Sequence, residues 1–138
     1  MIQNNKPEYL YLHVPFCKSI CNYCDFCHTV YQEDSTDQWL DALSKEIQAK
    51  QINLNLKTIY IGGGTPTALN EKALSRLMYM IHELFPVEET EEFTVESGRP
   101  DSITREKFCI LKEAGVTRIS INPQTMHQET LDLIGRAH

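Results

Sequence analysis

Four of the chain's five cysteines fall inside one short window, Cys17-Lys-Ser-Ile-Cys21-Asn-Tyr-Cys24-Asp-Phe-Cys27. Thiolates this dense make a soft-metal site or a redox site, and sulfur ligands select zinc, copper(I) or iron–sulfur clusters. Structural zinc ordinarily draws its ligands as two Cys pairs from separate ribbons. Here the remaining cysteine, Cys109, stands alone in a helix-like segment, so no second pair exists. Iron–sulfur ligands crowd into one short loop instead. Two other readings stay open on spacing: a distorted zinc knuckle completed by Cys27 or His28, and a disulfide framework, which would want a secreted chain.

The rest of the composition narrows the setting. The chain has 138 residues, the length of one domain, with 41% hydrophobic and 23% charged residues, as in an ordinary globular protein. No apolar run approaches the ~20 residues of a membrane span. The opening stretch, residues 1–8, lacks the apolar core of a signal peptide and is expected to be a flexible lead-in. An odd cysteine count without an export signal argues for reduced thiols in the cytoplasm. The net charge of −6 argues against a nucleic-acid partner. Glu88-Glu89-Thr-Glu91-Glu92 reads as a solvated loop.

The elements that must position the cysteines alternate strand and helix. Tyr9–Val14 is a short apolar run stopped by Pro15, the pattern of a buried parallel strand. Asp34-Ser35-Thr36-Asp37 offers helix-capping chemistry ahead of Trp39, Leu40, Leu43 and Ile47 at helical spacing. Thr58–Ile61 is a second strand, stopped by Gly62-Gly63-Gly64-Thr65-Pro66. Asn70 is placed to cap a helix with an apolar face of Leu74, Leu77, Met78, Ile81 and Leu84, ended by Pro86. Glu92–Glu96 is the third strand. Thr104 caps a helix through Phe108, Leu111 and Ala114, with Gly115 just past its end. Val116–Ile121 is the fourth strand, and a last helix carries Leu131 and Ile134 before Gly135. Four such units imply an α/β fold with a parallel sheet and right-handed crossovers.

In these sheets functional residues gather at the carboxyl ends of the strands. The cysteines follow strand one, the three glycines strand two, Glu96 closes strand three and Gln124 follows strand four. One rim therefore collects every unusual stretch. Each also has a plainer reading. The glycines can make a tight turn, and Glu96 can pair with Arg99 or Arg118. Gln124 can start a helix and Arg136 can end one in solvent. His13 is expected as a hydrogen-bonded core residue, and Cys109 as core packing.

Cys17-x3-Cys21-x2-Cys24 resembles the signature of the radical S-adenosylmethionine (SAM) enzymes, in which three thiolates hold three irons of a 4Fe–4S cluster and SAM chelates the fourth. Tyr11-Leu-His-Val-Pro-Phe-Cys17, Tyr23-Cys-Asp-Phe26 and Ile59-Tyr-Ile-Gly-Gly-Gly-Thr-Pro66 resemble the oxygen-independent coproporphyrinogen III oxidase-like group. Phe93-Thr-Val-Glu-Ser-Gly-Arg-Pro-Asp-Ser-Ile103 and Arg118-Ile-Ser-Ile-Asn-Pro-Gln-Thr-Met126 look most like its coproporphyrinogen dehydrogenase (HemZ-type) branch.

The resemblance implies cluster ligation by Cys17, Cys21 and Cys24. It implies SAM contacts from Tyr11, Tyr23, Gly63, Gly64, Thr65, Glu96, Gln124 and Arg136. It further implies a partial (β/α) barrel, of which this chain carries about four of six βα units, so the chain reads as a fragment. The implied reaction is oxidative decarboxylation of coproporphyrinogen III to protoporphyrinogen IX, with a tetrapyrrole substrate and an electron-donor protein. The alternatives are a haem chaperone of the same superfamily, or an inactive truncated fragment. Cys27 departs from the best-known oxidases, whose fourth cysteine lies two residues after the third. A role for Cys27 as fourth ligand in the absence of SAM is an expectation to test. Arg99 is the one rim cation expected to meet substrate carboxylates.

Overall fold

The structure is a computed structural model and describes residues 6–50 and 55–136. Of the expected lead-in, residues 1–5 lie outside the described residues. Pro7 and Glu8 are held, their carbonyls accepting from Asn55 and Lys57 at 3.0 and 2.7 Å. Strand β1 (Tyr9–Val14) is followed by two short strands, β2 (Phe16–Cys17) and β3 (Thr29–Val30), then by helix α1 (Glu33–Lys50). The chain continues through β4 (Thr58–Gly63), α2 (Glu71–Leu84), β5 (Glu92–Ser97), α3 (Arg105–Glu113), β6 (Arg118–Ile121) and α4 (Gln128–Leu133).

The main sheet is wholly parallel in the order β1-β4-β5-β6, so each strand lies beside the next long one in sequence. That order is the simplest outcome of successive right-handed βα units. Leu12, Val14, Ile59, Ile61, Phe93 and Val95 form the sheet's side of the core. Leu40, Leu74, Leu77, Ile81 and Leu111 of the helices meet them. The alternate residues of the same strands, among them Tyr9, Tyr11, His13, Tyr60 and Glu96, are exposed or half-buried. Period-two alternation thus sends a polar set to the other face.

Capping explains most helix ends. The Asn70 side chain accepts the Ala73 amide and Thr104 accepts that of Lys107, as their positions predict. α3 closes in a Schellman motif: Gly115 (φ +88°) donates to Lys112 and Val116 to Leu111. The same pair of bonds ends α4, where Gly135 (φ +70°) donates to Asp132 and Arg136 to Leu131. The expected start of α1 is corrected. The helix begins at Glu33, so Ser35 and Thr36 lie in its first turn and donate back to the Gln32 carbonyl. Cys109 is corrected too, because it is exposed on α3.

Lys107 takes the inward position that the pattern left unassigned. It is 7% exposed and donates through Nζ to the carbonyls of Thr67 (2.7 Å) and Ser102 (3.1 Å). Burial pushes its pKa below the ordinary lysine value. Those carbonyls belong to the 3-10 turns after β4 and β5, residues 66–68 and 100–102, so one ammonium ties two rim loops together. Lys107→Met leaves both carbonyls without this donor and should cost about 2 kcal/mol of stability. Urea denaturation checks it, and an unchanged midpoint would show that the loops hold without the lysine.

Candidate functional site

The loop from Cys17 to Thr29 is held at both ends by main-chain hydrogen bonds. The short parallel ladder of β2 and β3 supplies them: Thr29 N–H donates to the Pro15 carbonyl and Tyr31 N–H to that of Cys17, both at 2.7 Å. Phe16 anchors this ladder by edge-on contacts with Tyr31 and Trp39. The middle of the loop is tied to the end of α4, where Asn22 N–H donates to the Ile134 carbonyl at 3.1 Å.

Beside the loop runs the glycine segment. Gly64 N–H donates to Val14 (2.8 Å) and Thr65 N–H to Phe16 (2.6 Å). A Cβ on Gly64 would sit 2.6 Å from the Phe16 carbonyl oxygen and 3.0 Å from Cys17 Sγ. Gly63 adopts φ +113°, a region that favours glycine. The glycines are thus required both by a turn and by close approach to the cysteine loop.

A cavity of about 210 Å³ opens at this rim. It is lined by Cys17, Cys21, Cys24, Tyr23, Gly63, Gly64, Thr65, Glu96, Gln124 and Arg136, together with Arg99, Phe26 and His28. Ten of the eleven residues singled out above therefore share it. The exception is Tyr11, which lies on the open face of the sheet, stacked on Tyr60 at 6.0 Å. Cys27 is exposed and does not line the cavity. Its carbonyl instead accepts from His13 Nε2 at 2.6 Å, while Tyr11 OH lies 3.1 Å from His13 Nδ1. His13 is thus half-buried and hydrogen-bonded, bridging the open face to the cysteine loop.

All five cysteines are free thiols. Burial pushes the Cys17 thiol up, opposed by the Thr65 hydroxyl 3.5 Å away and by the Arg99 charge. Among the described residues no three Cys, His, Asp or Glu side chains converge closely enough to hold one metal ion. A cluster that takes one thiolate per iron asks for spaced sulfurs around a shared volume, and the three thiols line one cavity. The donor set fits such a group.

Two arginines are buried at this rim. The plainer reading of Arg136, a helix end in solvent, does not hold, because the residue is buried. It donates to Tyr23 OH (3.2 Å) and to the Gly98 and Asn122 carbonyls, joining three rim segments. Arg99 is also buried, donating to Ser19 Oγ and Cys21 Sγ. It is therefore turned into the loop and is not a free cation for substrate carboxylates. Arg118 pairs with Glu92, so neither arginine takes Glu96. Glu96 Oε1 accepts instead from Tyr60 OH at 2.5 Å. Gln124 takes φ 64°, uncommon for a residue with a side chain, and its N–H donates to Asn122 Oδ1.

A model of the radical SAM superfamily matches residues 11–138. The chain belongs to the radical SAM superfamily. It is 47% identical over 132 residues to the heme chaperone HemW of Bacillus subtilis (strain 168), covering 93% of this chain and 35% of that protein. It is 39% identical over 137 residues to the oxygen-independent coproporphyrinogen-III oxidase-like protein HemZ of the same organism, covering 94% of this chain and 27% of that one. The solved structure of coproporphyrinogen III oxidase (HemN) from Escherichia coli, described as a radical SAM enzyme, superposes with a TM-score of 0.84 at 32% identity. The match covers 96% of this chain and 31% of that one. The chain thus spans about a third of the length of the curated relatives it matches. Its four βα units correspond to part of the radical SAM barrel.

Tyr60 is the site residue that motif reasoning passed over. Its signal was there in the alternation of Thr58–Gly63, which puts Tyr60 on the face opposite Ile59 and Ile61. Burial, then the Glu96 hydrogen bond and charge, pushes its phenol up from 10.0 to about 12. The fold favours the neutral phenol. This contribution to stability is therefore whole below pH 10 and is lost as pH rises through about 12. Denaturant titrations at rising pH should show wild type losing stability more steeply than Tyr60→Phe in that window. Parallel curves would show that the Tyr60–Glu96 bond does not hold in solution.

Proposed function

We propose that the rim cavity holds a 4Fe–4S cluster on Cys17, Cys21 and Cys24, with SAM bound at the iron left open, and that the protein acts on a tetrapyrrole. The observation that carries this is the one cavity in which three thiols, the glycine segment, Glu96, Gln124 and Arg136 meet. When bound, cluster and SAM supply one-electron radical chemistry, and the protein supplies position and a sheltered setting. Gly64 and Thr65 amides are already bonded within the chain, so these two N–H groups hold the glycine segment against the cysteine loop. Glu96, steadied through one oxygen by Tyr60, keeps the other as an acceptor. Arg136 fixes Tyr23 against the rim, and Gln124 presents an exposed amide at its edge. Tyr11 acts through Tyr60 rather than from the cavity wall.

The reaction we propose is oxidative decarboxylation of coproporphyrinogen III to protoporphyrinogen IX, with an electron-donor protein as partner. The names of the HemZ and HemN relatives support it. Haem transfer as a chaperone is a second reading, supported by the 47% identity to HemW against 39% to HemZ.

Anaerobic reconstitution of the full-length protein should give about four irons per chain, and Cys17→Ala, Cys21→Ala and Cys24→Ala should each lose most of them. Coproporphyrinogen III with SAM and a reductant should then lose propionate carboxyl groups as CO2. Stoichiometric haem binding without decarboxylation would replace this reaction with the chaperone reading. Failure to take up iron would overturn both.

A further inference from the structure

Arg99 presents a problem of buried charge. Its side chain is 2% exposed, and a guanidinium stays ionised at any accessible pH. A buried charge needs an opposite charge or a full set of acceptors. Among the described residues Arg99 makes no ion pair with a carboxylate. Its donors go to Ser19 Oγ through Nη1 and to Cys21 Sγ through Nη2, each at 2.8 Å. Sulfur of the cysteine loop is therefore the acceptor set directly against its charge.

The arginine is also rigidly mounted. Its carbonyl accepts from the amide and the hydroxyl of Ser102, at 3.0 and 2.7 Å. Ser102 Oγ lies 2.5 Å from Thr67 Oγ1, and Lys107 clamps the Thr67 and Ser102 carbonyls. Such a frame fixes a planar fork of donors where a flexible lysine would not be fixed.

We propose that Arg99 is a positioning residue for the cluster, holding the Cys21 sulfur by a guanidinium hydrogen bond and raising the cluster's reduction potential. This rests on cluster ligation by Cys17, Cys21 and Cys24. Reduction adds one electron to the cluster, supplied by a low-potential one-electron donor, and makes it one charge more negative. Hydrogen bonds to ligand sulfur and a nearby fixed cation favour the more negative state. Arg99 thus makes the cluster easier to reduce without touching SAM or substrate.

The test compares wild type, Arg99→Gln and Arg99→Lys, each full length and reconstituted anaerobically with iron and sulfide. Iron per chain is counted, and the midpoint potential is read by electron paramagnetic resonance during titration with dithionite. At the potential where half the wild-type cluster is reduced, Arg99→Gln should show a reduced-to-oxidised ratio about tenfold lower, a shift of ~59 mV. Arg99→Lys keeps the charge but loses the fork, so its shift should be in the same direction and smaller. Full iron loading of Arg99→Gln with an unchanged potential would overturn the proposal and leave Arg99 as loop packing. If Arg99→Gln does not load, Arg99→Lys decides: a negative shift supports the role and a wild-type potential overturns it. Wild type without iron would instead sink cluster ligation itself, and Arg99's role with it.

Discussion

Three thiols that share one cavity repel each other once ionised, so their loop must be held by bonds that do not depend on the cofactor. Here those bonds are main-chain hydrogen bonds at its two ends, Thr29 to Pro15 and Tyr31 to Cys17. They belong to a separate two-stranded parallel ladder that begins just past Pro15. Because β1 leads directly into this ladder, the position of the sulfurs is set by the core packing of Leu12, Val14 and Phe16. The glycine segment is set by the same constraint, since its amides bond to Val14 and Phe16. A side chain on Gly64 would strike both the Phe16 carbonyl and the Cys17 sulfur.

Cationic side chains complete the rim. Arg136 lies just past the glycine that ends α4, and the two hydrogen bonds of that helix end aim it back across Tyr23, Gly98 and Asn122. Arg99 reaches from the loop after β5 to Cys21, and Lys107 binds the loops after β4 and β5 to each other. In an acidic chain, buried cations at one end of the sheet make that end suited to anionic sulfur. The same engagement removes them from any substrate, whose partners must come from other groups.

Much of this was legible in the residues. The strands β1 and β4 announce themselves as apolar runs stopped by Pro15 and by glycines, and Asn70, Thr104 and Gly115 mark helix ends by chemistry that acts locally. The gathering of cysteines, glycines, Glu96 and Gln124 on one rim follows from parallel topology alone. What stayed hidden depends on tertiary contact. The start of α1 slipped because Asp34, Ser35, Thr36 and Asp37 are all acceptable caps. Cys109 faces out and Lys107 faces in, because periodicity in a nine-residue helix defines its buried face loosely and Lys107 finds carbonyl partners inside. The burial of Arg99 and Arg136, and Tyr60's bond to Glu96, join residues distant in sequence that no local pattern links. Tyr11, a SAM contact by resemblance, stands on the open face of the sheet, stacked on Tyr60.

Mössbauer spectroscopy of full-length protein reconstituted with isotopically enriched iron, recorded without and with SAM, tests most directly whether three sulfurs hold a cluster with one open position. One of about four irons should change its isomer shift when SAM is added, while the others stay as they were. Irons that are all equivalent and indifferent to SAM, or a protein that retains only zinc, would contradict it.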